Sequence, residues 1–182
     1  MEHLYYLVAQ LPAISVNDDS SQKLPLTVGY FKDLCSRFMS EKSAKLAEKL
    51  TLEPPVEPVS TGSVFLDEWY AKERCLRLAL AQIRALKMKK DIKDLPSASD
   101  GESVQAARTA TGMDSPLAAE QYLNQYRLGI LDRIAPMDSF SADAVYSYGL
   151  KLMLAERMKK FNKDEGLASY HKIYDEILGE KK

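Results

Sequence analysis

The stretch from Ser63 to Lys90 constrains the fold more than any other part of the chain. It contains no proline and no glycine and is dense in Leu, Ala, Arg and Lys, the residues that lose least on entering a helix. At ~1.5 Å per residue it predicts a rod about 40 Å long around which other elements must assemble. Phe65, Trp69, Leu76, Leu80, Ile83 and Leu86 give the rod a broad apolar face. Only Glu73 interrupts that face, and Arg77 stands one helical turn further on as its natural ion-pair partner.

The spacing elsewhere is helical too. Thr27 is placed to cap a helix carrying Phe31, Leu34, Cys35 and Phe38, and Ser40 starts a short one with Ala44, Ala47 and Leu50 on a single stripe. Pro54, Pro55, Pro58 and Gly62 deny helix over 51–62 and mark a linker. Ser115 caps and Pro116 takes the first position of a helix with Leu123, Tyr126, Ile130 and Ile134 at helical spacing, stopped by Pro136. Ser141 caps the next, in which Val145, Tyr148, Leu152 and Met153 face inward and which ends near Asn162. Asp164 then caps a last helix with Leu167, Tyr170, Tyr174 and Ile177, closed by Gly179.

Three parts read less clearly. Residues 5–14 form a short apolar run compatible with a buried strand or a helix, and Asn17–Ser21 reads as a polar turn. Residues 94–114 are poor in large apolar side chains and read as a mobile connection with at most a short helix around Val104–Thr109. The expectation is therefore an all-α fold, an elongated antiparallel bundle with one long central helix. Its parts are an N-terminal helical segment (1–50), a Pro-rich linker (51–62) and a helical bundle (63–182), together one compact unit.

Charge and composition then bound the chemistry. The 182 residues carry 25 Lys and Arg against 26 Asp and Glu, a formal charge of −1, which argues against a dedicated nucleic-acid binder. Two cysteines and two histidines leave little for a metal or acid–base site, and no carboxylate stands in a Glu-x-x-His arrangement. No glycine-rich phosphate loop is present. His171 reads as a solvated helix histidine and Cys75 as a small buried hydrophobe. The chain is thus expected to have no catalytic residue, no cofactor and no metal. The opening Met1–Ala9 lacks a basic leader, and no run approaches the ~18 apolar residues of a membrane span, so a cytoplasmic location is expected.

Charge is distributed unevenly. Between Lys72 and Lys93 stand eight basic residues against two acidic ones, whereas Met1–Glu68 holds ten acidic and six basic. A basic helix of this kind is either a solvated face or a docking surface for an acidic partner.

Four segments together resemble a known group. They are Tyr5–Pro12, Phe65–Leu80 with its Trp69-Tyr70 pair, Ser115–Glu120, and Ser147–Arg157. The set resembles an uncharacterised bacterial family associated with V-type (V/A-type) ATP synthases, and the resemblance runs over nearly the whole chain. That family is similar in character to the C subunit of these ATPases (d in eukaryotic naming), an all-helical, non-catalytic protein seated on the membrane rotor ring that receives the central shaft. The resemblance implies an accessory or C-like central-stalk subunit that couples or assembles the rotor through protein contacts. Its partners would be V-type ATPase subunits of the shaft or ring, and it would be peripheral to the membrane only through the complex. On that reading Trp69, Tyr70, Arg74, Arg77, Arg84 and Lys87 are the interface candidates. The alternative is a stand-alone helical adaptor for an unrelated protein.

Overall fold

The structure, a computed structural model, describes residues 4–14, 24–90, 96, 98–160 and 163–179, with side chains of the last helix described from 166 onward. Among these, eight helices follow one another: α1 (Tyr5–Gln10), α2 (Val28–Phe38), α3 (Glu41–Glu48), α4 (Val64–Lys87), α5 (Gly101–Thr111), α6 (Pro116–Arg133), α7 (Ala142–Lys159) and α8 (Lys163–Leu178). No strand occurs among the described residues, so the fold is all-α. The ambiguous run at the start is a helix over 5–10 and extended chain over 12–14. The expected turn at 17–21, His3 and the helix end near Asn162 lie outside the described residues.

Small hydroxyl residues set the helix starts. Thr27, Ser40, Ser63, Ser115 and Ser141 each accept a hydrogen bond from the backbone N–H three residues on, satisfying a donor that the first turn leaves free. Ser63 does more, because its hydroxyl also donates to Asp143 Oδ1 at 2.7 Å and so ties the start of α4 to the start of α7.

α4 is the spine. Its first half buries Phe65, Leu66, Trp69 and Tyr70 in a core shared with α2 (Phe31, Leu34, Cys35), α6 (Leu128, Ile130, Leu131) and α7 (Val145, Tyr146, Leu150, Leu152). Its second half turns Leu76, Ala79 and Leu80 onto α5 and α6. α5 is the main neighbour of α4 and presents Ala106, Ala107 and Ala110, all buried, to it. Where the sequence predicts at most a short helix around Val104–Thr109, the helix runs over Gly101–Thr111 and alanine supplies the packing. A methyl group buries little area, so its face is inconspicuous in a sequence, but it lets two helices approach closely. Residues 94, 95 and 97 lie outside the described residues.

A second close approach joins α2 and α7 at Gly149, where a β-carbon would lie 2.6 Å from Phe31 Cε1 and 2.8 Å from Cζ. Glycine is required there by space.

Several expected core positions are not buried. Leu86 is exposed although its neighbour Ala85 is buried, because it faces away from the packed side of α4 just before the helix ends at Met88–Lys89, with Lys89 at φ 55°. Phe38 is exposed at the end of α2, and Cys75 is half-buried with its thiol 3.8 Å from Ser99 Oγ. The largest departure is α8. Leu167, Tyr170, Tyr174 and Ile177 keep the helical spacing expected of a core face, yet every described residue of the helix is exposed. Gly179 follows it with φ 70°, the left-handed conformation that closes a helix at little steric cost in glycine.

Candidate functional site

Glu73 sits on the face of α4 that enters the core and is wholly buried. A carboxylate taken out of water is tolerable only if its charge is matched and its oxygens are bonded, and both conditions are met. Arg127 of α6 grips it with two prongs, Nε to Oε2 at 2.9 Å and Nη2 to Oε1 at 3.0 Å. Arg77 adds a third bond, Nε to Oε1 at 2.8 Å. Arg127 also donates to Asn124 Oδ1 at 3.3 Å and has its Nη1 3.9 Å from Glu120 Oε1, which in turn accepts from Arg157 of α7 at 2.5 Å. The ladder therefore links α4, α6 and α7 through alternating charges. A guanidinium suits this place because its planar fork matches the carboxylate and cannot lose its proton.

Arg77 and its neighbour Arg74 fasten the Pro-rich linker. Arg74 Nη1 donates to Pro55 O at 2.7 Å, and Arg77 reaches Leu52 O at 3.4 Å and Glu53 Oε1 at 3.8 Å. Proline has no N–H to donate, so a segment rich in it offers carbonyls in excess, and side-chain donors are what can hold it down.

The six interface candidates therefore divide. Trp69 and Tyr70 are buried, at 0% and 6% exposure, and cannot contact a partner without unfolding the core; their placement at an interface is corrected. The apolar face of α4 is wide enough to take both rings inward. Arg74 and Arg77 are half-buried and engaged by the linker and by Glu73. Arg84 and Lys87 are exposed. They stand at the free end of α4 with Lys89 and Lys90, also exposed, and no acidic residue lies between 84 and 90. Lys87 Nζ donates to Thr111 O, which steadies this end against the last turn of α5. Leu86 and Met88, each 59% exposed, alternate with the cations. The result is a compact basic patch with apolar side chains inside it.

A second anchor lies beside α5. Asp100 caps that helix through Ser103 N and Oγ, at 3.2 and 2.5 Å, and pairs with Lys72 of α4 at 3.2 Å. The Ser103 hydroxyl first, and Lys72 after it, hold the Asp100 carboxyl below the usual carboxylate range. Asp100 correspondingly raises Lys72. Tyr126 shares Ser103 Oγ at 3.2 Å, and burial pushes its phenol up.

An open groove of about 460 Å³ lies between the end of α1 and α7. Its walls are mostly apolar, among them Val8, Leu11, Ala135, Val145 and Tyr148. Tyr148 donates to Pro12 O at 2.8 Å, and burial pushes its phenol up to about 12. Lys151 at the edge is held by Asp132 at 2.6 Å. His171 is exposed beside Tyr170. Among the described residues, no three His, Cys, Asp or Glu side chains are grouped to hold a metal, and no helix is long and apolar enough to cross a membrane.

Two features escaped the sequence reading. Arg127 is flanked by Tyr126 and Leu128 and falls on the buried stripe of α6, the buried cation of that helix facing Glu73, the buried anion of α4. That pair of opposite exceptions was the available signal. The clustering of exposed charge at 84–90 depends on which side of the end of α4 its neighbours leave uncovered, which spacing does not reveal. Comparison of the chain with protein-family models, curated proteins and solved structures found no match.

Proposed function

We propose that the chain is a non-catalytic accessory or C-like central-stalk subunit of a V-type ATP synthase/ATPase, acting on the cytoplasmic face by binding other subunits. What carries the assignment is the set of segments 5–12, 65–80, 115–120 and 147–157, whose resemblance to that family runs along the chain. The geometry supplies a surface suited to the role. Arg84, Lys87, Lys89 and Lys90 at the end of α4 offer positive charge for an acidic subunit, and Leu86 and Met88 offer apolar area for affinity. The charge ladder from Glu73 to Arg157 makes the three helices behind that patch a stiff support, which a part transmitting torque requires.

An adaptor for an unrelated partner would use the same patch, so the identity of the partner separates the two readings. Tagged protein recovered from native membranes at low salt should bring shaft or ring subunits of the ATPase with it. Recovery of none of them overturns the proposal.

A further inference from the structure

α8 carries a continuous apolar stripe that nothing in the described chain covers. Leu167, Tyr170, Ile173, Tyr174, Ile177 and Leu178 are 49–78% exposed and fall within an arc of about 140° at 100° per residue. The charged residues Lys172, Asp175 and Glu176 all lie on the opposite side. Tyr170 and Tyr174 are already stacked, with ring centroids 6.0 Å apart and planes at 24°.

We propose that the occupant of this stripe is α8 of a second copy, lying antiparallel, so that the protein is a symmetric dimer joined through α8. The proposal is independent of the ATPase reading.

Three observations point to self-pairing. The first is register. Leu167, Tyr170, Tyr174 and Ile177 occupy alternating a and d positions of a heptad, and an antiparallel partner sets Leu167 against Ile177 and Tyr170 against Tyr174. All four layers are then apolar, and Ile173 meets Ile173 of the second copy beside the two-fold axis. The second is charge. An antiparallel pair opposes the two helix dipoles, whereas a parallel pair sets their like ends side by side. The third is area. Six side chains exposed to this degree offer roughly 600 Å² per copy, or on the order of 1,200 Å² for the pair, the lower limit of a specific interface. The dimer should accordingly be reversible and concentration-dependent.

The test is sedimentation equilibrium of the full chain from micromolar to millimolar concentration. The expected result is a mass rising from 20.5 kDa towards twice that value. Tyr170→Lys acts twice in a symmetric pair and should weaken association about 100-fold, with the helical content of the bundle unchanged. In a Cys75→Ser background, Ile173→Cys should form a disulfide-linked dimer on mild oxidation. A monomer at every concentration overturns the proposal. So does a dimer indifferent to Tyr170→Lys. Crosslinking through Tyr170→Cys with none through Ile173→Cys would overturn the antiparallel register.

Discussion

Arg127 of α6 closes on Glu73 of α4 with two parallel bonds of 2.9 and 3.0 Å, in a core that exposes 5% of one residue and none of the other. The two stand 54 positions apart in the chain, so the pair fixes the register of two helices that only tertiary folding brings together.

Removing one partner should be more harmful than removing both. Arg127→Met leaves a buried carboxylate with Arg77 alone and should cost about 3 kcal/mol, or roughly 10 °C in melting temperature for a chain of this size. Glu73→Met together with Arg127→Met replaces the pair by apolar volume and should recover most of that loss. Chemical denaturation of the wild type, Glu73→Met, Arg127→Met and the double variant gives the coupling energy directly. Additive losses would show that the pair does not act as a unit.

Gly149→Ala should destabilise by about 1–3 kcal/mol, since the added methyl would overlap the Phe31 ring. Phe31→Leu in the same chain should relieve part of that cost. Thermal melts of the single and double variants read the difference.

Acid should loosen the Asp100 anchor. Its carboxyl is held below the usual range, so its contribution is present above the ordinary value of about 3.9 and disappears as pH falls through the lower folded value. Lys72, raised by the same contact, contributes below its ordinary value near 10.4 and loses that contribution as pH rises past its folded value. Asp100→Asn keeps a competent cap while removing the charge. Urea denaturation should show the wild type more stable than this variant at neutral pH, with the gap narrowing below pH about 4.

Thiol chemistry should separate the two cysteines. Cys35 is 1% exposed and burial pushes its thiol up to about 12, while Cys75 is half-buried next to Ser99. The thiolate is the reactive form. A maleimide at neutral pH should therefore label Cys75 in the native protein and Cys35 only once denaturant is added, as peptide mapping would show.

Local features were the most legible. Hydroxyl caps at Thr27, Ser40, Ser63, Ser115 and Ser141 act through a bond three residues away, so their meaning is contained in a few adjacent letters. The Glu73–Arg77 contact is of the same kind. What periodicity cannot tell is which faces meet. Leu80 and Leu167 carry the same signal, yet one is buried under α5 and the other stands in solvent. α5 is faint in the sequence because alanine packs by being small. Trp69 and Tyr70 read equally well as surface or core, because aromatic residues serve both, and only the position of α6 and α7 decides between them. Arg127 needed the fold to find its partner.

Docking of the exposed basic end of α4 on a V-type ATPase, as proposed, would be read by measuring binding of the purified chain to the purified ATPase complex. Wild-type protein and the Arg84→Glu/Lys87→Glu variant would be compared at low and at high salt. The account predicts binding by the wild type that weakens with salt, and a loss of about 10-fold or more in the variant, whose reversed charges repel an acidic partner. No binding by the wild type, or equal binding by both proteins, would contradict it.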